Sequence, residues 1–551
     1  MTARGAPAVD LDAILAELGQ FGRYQVRTYC FILLPIVFSA VYNSQYIFAA
    51  AATDHRCVVP ECESPPLSWS AGPWAGWALP EEDGGRCARL QPLPAAAGAC
   101  APAAFHHNNT VACDAWVYQN NYTIVSEFEL ACEEWKRTLV GTMHSVGLFA
   151  ALPITGYISD TFGRRTAFVL TAVSAALMGL VRAFSPNYAM YLVFEFLDAT
   201  LGSGVYSTGF ILALEMVGLN KRVLGGNIIS CSFALGQVLV ALVAWAVPYW
   251  RTLTVVLYAP SLLFAFYYFV LEESVRWLLS RGNKKEAARI IYKAAAVNRK
   301  KLSPESIRQL SEDTEITQSG ELKSEEKETQ KGNEKSDSEP IKNRSLAAEV
   351  IRSKIIMSRV AVCSFVWITT TFTYYGLSIN SVSLAGNMYI NYILTALVEI
   401  PGYALSVLTL DRFGRKSSIM TAYIVCGLAL IALPFIPSDL HWIATSLNML
   451  GKLCISMAFS SIYIYTSELF PTSARHRLLA VCSMIGRIGS IVAPQTPLLM
   501  QVWASLPYLI FGGMAVSAGL LMLLTPETLH QRLPDTVAEA EDIARHPHNT
   551  T

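Results

Sequence analysis

The sequence carries one short motif twice. The first copy reads Gly156-Tyr-Ile-Ser-Asp160-Thr-Phe-Gly163-Arg164-Arg165, and the second reads Asp411-Arg412-Phe-Gly414-Arg415-Lys416. Both copies share the pattern Asp-x-Phe-Gly-Arg-basic, and each follows the second long apolar run of a group of six. Two copies at equivalent places indicate a chain built from two duplicated halves.

Composition places the chain in a membrane. Of its 551 residues, 53% are hydrophobic and 15% are charged, whereas soluble domains carry roughly 25% charged residues. Lys and Arg (42) balance Asp and Glu (42), so there is no basic excess to suggest a nucleic-acid partner. Apolar runs near the ~20 residues needed to cross a bilayer recur along the chain. We therefore expect an all-α membrane protein with twelve transmembrane helices in two six-helix pseudo-repeats.

The apolar runs also divide the chain into segments. The predicted spans are 28–51, 139–158, 166–184, 189–216, 224–247 and 252–271 in the first half, and 357–377, 388–410, 417–436, 440–465, 476–500 and 505–524 in the second. The predicted segments are an amphipathic N-terminal segment (1–27), the first transmembrane helix (28–51), a Cys-rich loop (52–138), helices two to six (139–271), a polar loop (272–355) with a flexible part (303–345), helices seven to twelve (357–524) and a tail (525–551).

Loop charges predict the orientation. Basic residues such as Arg164, Lys221, Arg276 and Arg412 fall on one side of the predicted membrane, whereas the short loops on the other side hold little beyond Arg251. Positively charged loops stay in the cytoplasm. We therefore expect a multi-pass membrane protein with both termini and the 272–355 loop in the cytoplasm, and with the Cys-rich loop extracellular or lumenal.

Cysteines and glycosylation sequons cluster in that outer loop. Six cysteines in an oxidising compartment predict up to three disulfides, with 15 possible pairings. Metal binding is the alternative, but the cysteines lack the paired C-x-x-C spacing that would favour it. The disulfide candidates are Cys57, Cys62, Cys87, Cys100, Cys113 and Cys132. Asn108 and Asn121 begin Asn-x-Thr sequons in the same segment, so we expect N-glycans on both.

The repeated motif suggests a mechanical role. Glycine permits a tight turn between two antiparallel helices. The Asp carboxylate can cap a helix N-terminus and pair with Arg across the cytoplasmic seam between the halves, as a latch that opens and closes. The alternative interpretation, positive-inside anchors beside a turn glycine, explains the Arg residues but leaves the repeated Asp unexplained.

Several ionisable residues lie at predicted bilayer depth, where charge is costly and is a functional candidate. They are Glu195 and Asp198 in the fourth span, Glu399 in the eighth, Lys452 in the tenth and Arg487 in the eleventh. Purely structural pairs, Glu399 with Lys452 or Glu195 with Arg487, are the alternative. His144, near the outer end of the second span, has no evident partner in the sequence.

Aromatic residues accompany these charges. Trp367 and Tyr374 are seven residues apart on the seventh span and share a face, and Tyr206 and Tyr392 lie on the fourth and eighth. An aromatic face beside a carboxylate suits an organic ammonium ion. Core packing is the alternative for any one of these aromatics, and it is the interpretation we favour for Tyr375.

The arrangement resembles the major facilitator superfamily, and its organic ion transporter family in particular. Besides the paired motif, the resemblance rests on His55-Arg-Cys57, on Glu272-Glu-Ser-Val-Arg276-Trp277-Leu-Leu, on Tyr465-Thr-Ser-Glu468-Leu-Phe-Pro471-Thr-Ser-Ala-Arg475 and on Leu533-Pro-Asp-Thr536. It covers nearly the whole chain. These motifs are less specific for the cation, carnitine or anion branch.

The resemblance also implies site residues. The implied substrate-binding residues are Tyr206, Trp367, Tyr374, Tyr392, Glu399, Phe459 and Arg487, to which the charge pattern adds Lys452. The implied cytoplasmic gating residues are Asp160, Arg164, Arg165, Glu215, Arg222, Glu273, Arg276, Asp411, Arg415, Glu468 and Arg475. At position 487 the cation branch has an acid, and at 195, where this chain has Glu, most relatives carry Arg. Both signs of charge in one cavity favour a zwitterion or a broad range of cations.

The expected function is therefore secondary transport of small organic cations or carnitine-like zwitterions across the plasma membrane by alternating access of the two halves. An organic anion transporter is the alternative, and a non-transporting receptor is an alternative of another class. No Walker-type phosphate loop is present, so ATP does not supply the energy. We expect no enzymatic activity, cofactor, metal or nucleic-acid partner. The expected partners are a small organic ion and the bilayer, and a coupling ion is a further candidate.

Overall fold

The computed structural model describes residues 11–80, 85–93, 99–218, 221–308, 310, 346–437, 439–529, 531 and 534–542. Three parts of the predicted segments lie outside the described residues. They are the start of the N-terminal segment (1–10), most of the predicted flexible part (309 and 311–345) and the end of the tail (543–551). Long helices dominate the described chain, and β-strands occur in the Cys-rich loop.

Within the described residues, eleven helices are long and apolar enough to cross a membrane. They are Arg23–Ala49, Glu134–Phe162, Arg164–Ala183, Arg222–Ala246, Trp250–Val270, Lys354–Ser383, Met388–Phe413, Arg415–Phe435, His441–Leu469, Arg475–Val502 and Leu506–Leu524. The remaining span, fourth in chain order, is made of two shorter helices, Tyr188–Gly202 and Gly204–Glu215, which meet at Ser203. The predicted all-α fold with twelve spans is confirmed.

The two halves repeat the same helix contacts. In the first half the first span packs on the fifth, the second on the fourth and the third on the sixth; in the second half the seventh packs on the eleventh, the eighth on the tenth and the ninth on the twelfth. Glycines permit the closest of these approaches. A Cβ on Gly236 would lie 2.2 Å from the Val37 carbonyl oxygen, and one on Gly489 would lie 2.4 Å from that of Ile368. The halves meet where the second span packs on the eleventh and the fifth on the eighth.

The Cys-rich domain, residues 52–133, lies between the first two spans. Strand β1 (His55–Cys57) pairs antiparallel with β4 (Trp116–Tyr118), and β2 (Ala88–Pro92) pairs antiparallel with β3 (Phe105–Ala112). The cysteines of this domain form the pairs Cys57–Cys113, Cys62–Cys100 and Cys87–Cys132. Asn108 on β3 and Asn121 after β4 are both exposed. We call the membrane face that carries this domain the Cys-rich side, and the opposite face the basic side.

The carboxylate of Glu127 connects the Cys-rich domain to the sixth span by hydrogen bonds. Glu127 accepts hydrogen bonds from the Trp250 indole (2.6 Å) and the Arg251 guanidinium (2.7 Å) at the start of the sixth span. Burial raises the pKa of Glu127, but the hydrogen bonds and charge of Arg251, together with the Trp250 bond, outweigh it and hold that pKa below its usual value. The domain is thus tied to the sixth span by an ionised group.

Short helices form a separate apolar cluster on the basic side. Helix Leu11–Glu17 packs its buried face on helices Val275–Ser280 and Lys284–Asn298. Asp12 pairs with both Arg222 (3.1 Å) and Arg276 (2.7 Å), which places two predicted gating residues in this cluster. Glu17 accepts a hydrogen bond from the hydroxyl of Ser303, at the point where the flexible part of the loop was predicted to begin.

A candidate substrate cavity between the halves

A cavity of about 390 Å³ lies between the two halves of the molecule. It extends from His144 and Asn43 down to Ser159 and Asp160 at the end of the second span, where the Asp160 side chain is 75% exposed. The cavity therefore opens toward the basic side. Tyr42, Tyr206, Phe233, Tyr374, Tyr375, Tyr403, Phe459 and Tyr463 supply its aromatic lining.

Contacts between the halves close the cavity on the Cys-rich side. Gln495 of the second half donates a hydrogen bond to Thr142 (2.6 Å) and accepts one from Thr138 (3.0 Å). Phe48 packs edge-on against Tyr392, with ring centroids 5.1 Å apart. Closed on one side and open on the other, the cavity has the geometry of one alternating-access state.

Glu399 is buried behind the cavity wall. The eighth span breaks at Val398, and Glu399 begins its second helical piece. Its carboxylate pairs with Lys452 (3.0 Å) and accepts hydrogen bonds from the hydroxyls of Tyr374 (2.8 Å) and Tyr403 (3.0 Å). Both members of the ion pair are fully buried. Glu399 is therefore neutralised and enclosed in this state, which is the structural pairing weighed above as the alternative.

Arg487 is charged and open to the cavity. Its half-buried side chain lines the wall from the eleventh span. Among the residues that the structure describes, its guanidinium has no acidic partner and no hydrogen-bond acceptor. The proposed structural pair of Arg487 with Glu195 is wrong, because Glu195 is bound to a different arginine.

That arginine is Arg182, near the end of the third span, which sequence reasoning missed. It is fully buried, and its guanidinium contacts both Glu195 and Asp198 (3.0 Å). His144 also has a partner that the sequence did not reveal, because its Nδ1 lies 2.8 Å from Glu195 Oε1. The short connection between the third and fourth spans was the available signal, since it brings Arg182 beside the acids that follow it.

Asp198 presents an unsatisfied oxygen beside the cavity. Its Oδ2 contacts Arg182 and accepts a hydrogen bond from the Tyr258 hydroxyl (2.7 Å). Its Oδ1 is buried and has no hydrogen-bond partner among the residues that the structure describes. Asp198 lines the cavity from the first half, whereas Arg487 lines it from the second. Within the described part of the chain, the cavity thus offers a free acceptor on one half and a free cation on the other.

The substrate-binding residues expected from the sequence fall into three groups. Tyr206, Tyr374, Phe459 and Arg487 line the cavity, Tyr392 lies in the closed layer, and Trp367, Glu399 and Lys452 lie outside the lining. Trp367 shares a helix face with Tyr374, but Tyr463 packs edge-on over its ring at 4.5 Å and its indole donates to Thr466. Tyr375, for which we favoured core packing, lines the cavity.

The two copies of the repeated motif fold alike on the basic side. Gly163 and Gly414 take left-handed φ values of 101° and 98° between consecutive spans, a conformation that favours glycine. The acid of each motif pairs with its own arginine four residues later, as Asp160 with Arg164 and Asp411 with Arg415. These pairs lie within each half, so the described residues do not form the expected pairing across the seam in this open state.

Other acids perform the helix capping that the sequence assigned to the motif aspartates. Glu273 accepts from the backbone N–H of Arg165 (3.0 Å), and Glu527 accepts from that of Arg415 (2.8 Å). Arg164 also lies 3.6 Å from Glu215, and Arg415 lies 3.4 Å from Glu468. Glu527 was missed, although the repeated acid–hydroxyl pairs Glu273-Ser274 and Glu527-Thr528 after the sixth and twelfth spans could have identified it.

The remaining predicted gating residues contact their own half. The Arg165 guanidinium lies 4.3 Å from the ring centroid of Tyr268, and Arg475 donates to the Thr472 hydroxyl (3.2 Å). Neither contact crosses between the halves. The basic side is therefore organised as two separate charge clusters, one in each half.

Comparison with known proteins identifies the family. The family model described as Major Facilitator Superfamily matches residues 134–494 and 355–547. The chain is 32% identical to an organic cation transporter protein of Drosophila melanogaster over 97% of this chain and 95% of that protein, and 32% identical to solute carrier family 22 member 13 of Homo sapiens over 97% and 93%. The inward-open xylose transporter XylE from E. coli shares the fold, with a TM-score of 0.56, 15% identity and coverage of 94% and 99%.

The chain therefore belongs to the major facilitator superfamily and, within it, to the organic ion transporter family. It is a multi-pass plasma membrane protein and a secondary transporter of organic ions.

Proposed function

We propose that this transporter carries small organic zwitterions, molecules that join an ammonium group to a carboxylate as carnitine does. The observation that carries the proposal is the free guanidinium of Arg487 facing the same cavity as the unpartnered oxygen of Asp198. The two groups come from opposite halves, so a zwitterion held between them would connect the moving parts of the transporter.

The carboxylate end is assigned to Arg487. A guanidinium binds a carboxylate through two parallel hydrogen bonds. Arg487 needs no rearrangement of a protein ion pair before it binds, because none of the described residues competes for its charge. A simple organic cation has no carboxylate to neutralise Arg487 and would be repelled by its positive charge.

The ammonium end is assigned to Asp198 and the surrounding tyrosines. Asp198 Oδ1 can contact the ammonium group without losing an existing hydrogen bond, whereas each carboxylate oxygen of Glu399 already has a partner. Tyr42 and Tyr206 belong to the same lining. Aromatic faces attract organic ammonium groups by cation–π interaction. Glu399 then holds Tyr374 in the cavity wall and pairs with Lys452 behind that wall.

Alternating access follows from the repeated clusters on the basic side. With both termini and the basic side in the cytoplasm, the described state is open inward. Closing this side would bring the motif clusters of Asp160 and Asp411 together, while the Gln495 contacts on the other side separate. The clusters then regulate the balance between states and do not touch substrate. No covalent chemistry is required.

An organic anion transporter is the second candidate. The pairing of Lys452 with Glu399 favours it, because that pairing leaves Arg487 as a free cation in the cavity. The unpartnered oxygen of Asp198 argues for the zwitterion, since a plain anion would be repelled there.

Uptake of labelled carnitine, tetraethylammonium and hippurate into cells expressing the protein tests the proposal. We expect carnitine to be carried in preference to the other two. Preferred uptake of hippurate would establish the anion transporter instead, and preferred uptake of tetraethylammonium would refute the role of Arg487. Saturable binding of any of the three without flux would indicate a receptor.

A further inference from the structure

The last residue of helix Leu11–Glu17 binds two serines at the start of the predicted flexible part of the loop. The Glu17 carboxylate accepts hydrogen bonds from the backbone N–H (3.0 Å) and the hydroxyl (2.8 Å) of Ser303. It also accepts one from the hydroxyl of Ser306 (3.0 Å). The backbone bond of Ser303, followed by its hydroxyl bond, lowers the pKa of Glu17 below its usual value. Glu17 is therefore an anion held by hydroxyl and N–H donors.

Helix Leu11–Glu17 depends on such contacts for its structure. It has seven residues, and so short a helix is not stable in water without packing. Its apolar face is buried in the cluster of short helices on the basic side. Its Asp12 pairs with Arg222 and Arg276. Loss of the contacts at Glu17 would therefore favour release of the whole helix.

Ser303 stands directly before Pro304, and proline after a serine or threonine is the feature that proline-directed protein kinases recognise. Thr525-Pro526 is the other such pair on the basic side, but Thr525 is only 3% exposed at the end of the twelfth span. Ser303 is half-buried and lies outside the spans. The remaining Ser-Pro and Thr-Pro pairs lie on the Cys-rich side and begin at Ser64, Ser185 and Thr496. Ser303 is thus the residue that a cytoplasmic kinase of this class could reach.

Phosphorylation would reverse the interaction between Ser303 and Glu17. A kinase transfers the terminal phosphoryl group of ATP, so a bond forms between Ser303 Oγ and phosphorus while ADP and the hydroxyl proton leave. Phosphoserine carries a charge of about −1.5 to −2 near neutral pH and adds only acceptor oxygens. The hydroxyl that donates to Glu17 is lost, and two anions then lie in contact. This repulsion disfavours the docked helix.

We propose that Ser303 is a regulatory phosphorylation site whose modification releases helix Leu11–Glu17. Release of the helix separates Asp12 from Arg222 and Arg276, two residues predicted to act in gating. None of these residues lines the cavity, so the modification acts on the basic side without touching the substrate. The inference does not depend on which organic ion is carried.

Docking of the helix and phosphorylation compete for Ser303. A kinase can act only on the fraction of molecules in which Ser303 is released. Glu17→Gln removes the charge that holds Ser303, so it should raise the initial rate of phosphorylation by about fivefold. Asp12→Asn loosens the helix through contacts that do not involve Ser303, and should raise that rate by about twofold.

Glu541→Gln is the matched control. Glu541 lies in the tail helix Val537–Asp542 and accepts a hydrogen bond from the Ser353 hydroxyl at the start of the seventh span. The same kind of carboxylate–serine contact is thereby removed, but in the second half of the molecule. Glu541→Gln should leave the rate of Ser303 phosphorylation unchanged.

The experiment uses the purified full-length protein in lipid nanodiscs with ATP and a MAP kinase, which is a proline-directed kinase. Phosphopeptide mass spectrometry should find phosphate on Ser303, and Ser303→Ala should lose this signal. Amide hydrogen exchange of Leu11–Glu17 should then rise at least about tenfold on phosphorylation, because the hydrogen bonds to a charged group are lost. Exchange of Val537–Asp542 should stay the same.

The outcomes test the site and the release separately. Absence of phosphate on Ser303, or phosphate on Ser306 in its place, would overturn the assigned site. Complete phosphorylation of Ser303 with unchanged exchange of Leu11–Glu17 would overturn the release of the helix. Equal rates for the wild type and Glu17→Gln, or an equal rise in Glu541→Gln, would overturn the competition between docking and phosphorylation. Failure of carnitine uptake would overturn the proposed function and leave this inference in place.

Discussion

Replacing Arg487 with Gln should damage recognition of the substrate carboxylate without damaging the fold. Hydrogen bonds to a charged group are worth about 1.5–3 kcal/mol. Each ~1.4 kcal/mol corresponds to a tenfold change in affinity. Arg487→Gln should therefore raise the apparent KM for carnitine between about tenfold and about a hundredfold. Because Arg487 has no partner among the described residues, its removal leaves no buried carboxylate without an ion-pair partner.

Lys452→Gln provides the matched contrast. This change also removes one cation from the second half, but it leaves the fully buried Glu399 without its ion-pair partner. Breaking a buried pair in this way typically costs about 3–5 kcal/mol. Lys452→Gln should therefore reduce the amount of protein at the cell surface, whereas Arg487→Gln should not.

The assay is concentration-dependent uptake of carnitine and tetraethylammonium, normalised to surface protein by biotinylation. Arg487→Gln should leave tetraethylammonium uptake unchanged or improve it, because the repelling charge is gone. An unchanged KM for carnitine would refute the assignment of the carboxylate to Arg487. Loss of surface expression in Arg487→Gln would show that Arg487 has a structural partner after all.

Three further predictions follow from other parts of the molecule. Asp160→Asn and Asp411→Asn should lower the maximal flux more than the apparent affinity, since we propose that both residues regulate the balance between states; kinetics showing weaker affinity at normal flux would contradict this role. Asn108 and Asn121 should carry glycans, so glycosidase digestion should increase gel mobility, and no shift would contradict the assigned orientation. Because the pKa of Glu127 is lowered, its bonds stabilise the fold above about pH 4.3 and are lost as the pH falls through the folded value; Glu127→Gln should lower the thermal midpoint at neutral pH, by an amount that vanishes in acid.

The fold could be predicted from the sequence because its signals are local. Apolar length determines a span, and the repeated Asp-x-Phe-Gly-Arg motif marks equivalent turns at Gly163 and Gly414. The fourth span is the instructive case: the apolar run 189–216 predicts it, yet the helix is interrupted at Ser203. Hydropathy averages over such a break and so cannot locate it.

The charged site was predicted only in part, because pairing depends on contacts between spans. The sequence identified Glu399, Lys452 and Arg487 as charges at bilayer depth, but it could not show which of them are neutralised. Arg182 was overlooked because it lies near the predicted end of its span, where a basic residue is usually an interfacial anchor. Its burial follows from the packing of the third span on the fourth and sixth.

Helix periodicity likewise misplaced Trp367. Seven residues put Trp367 and Tyr374 on one face of the seventh span, but they stand two turns apart along the axis. Tyr374 reaches the cavity, whereas Trp367 lies under Tyr463 of the tenth span. Sequence spacing gives the direction of a side chain, and the neighbouring helix decides whether it is exposed.

Transport of carnitine beside two matched analogues tests the central claim most directly. Carnitine methyl ester keeps the ammonium but has no carboxylate charge, and the analogue with carbon in place of nitrogen keeps the carboxylate but has no ammonium. If Arg487 and Asp198 hold opposite ends of one zwitterion, each analogue should lose at least about tenfold in transport efficiency relative to carnitine. Equal transport of the methyl ester would show a cation carrier, and equal transport of the carbon analogue would show an anion carrier; either result would contradict the account.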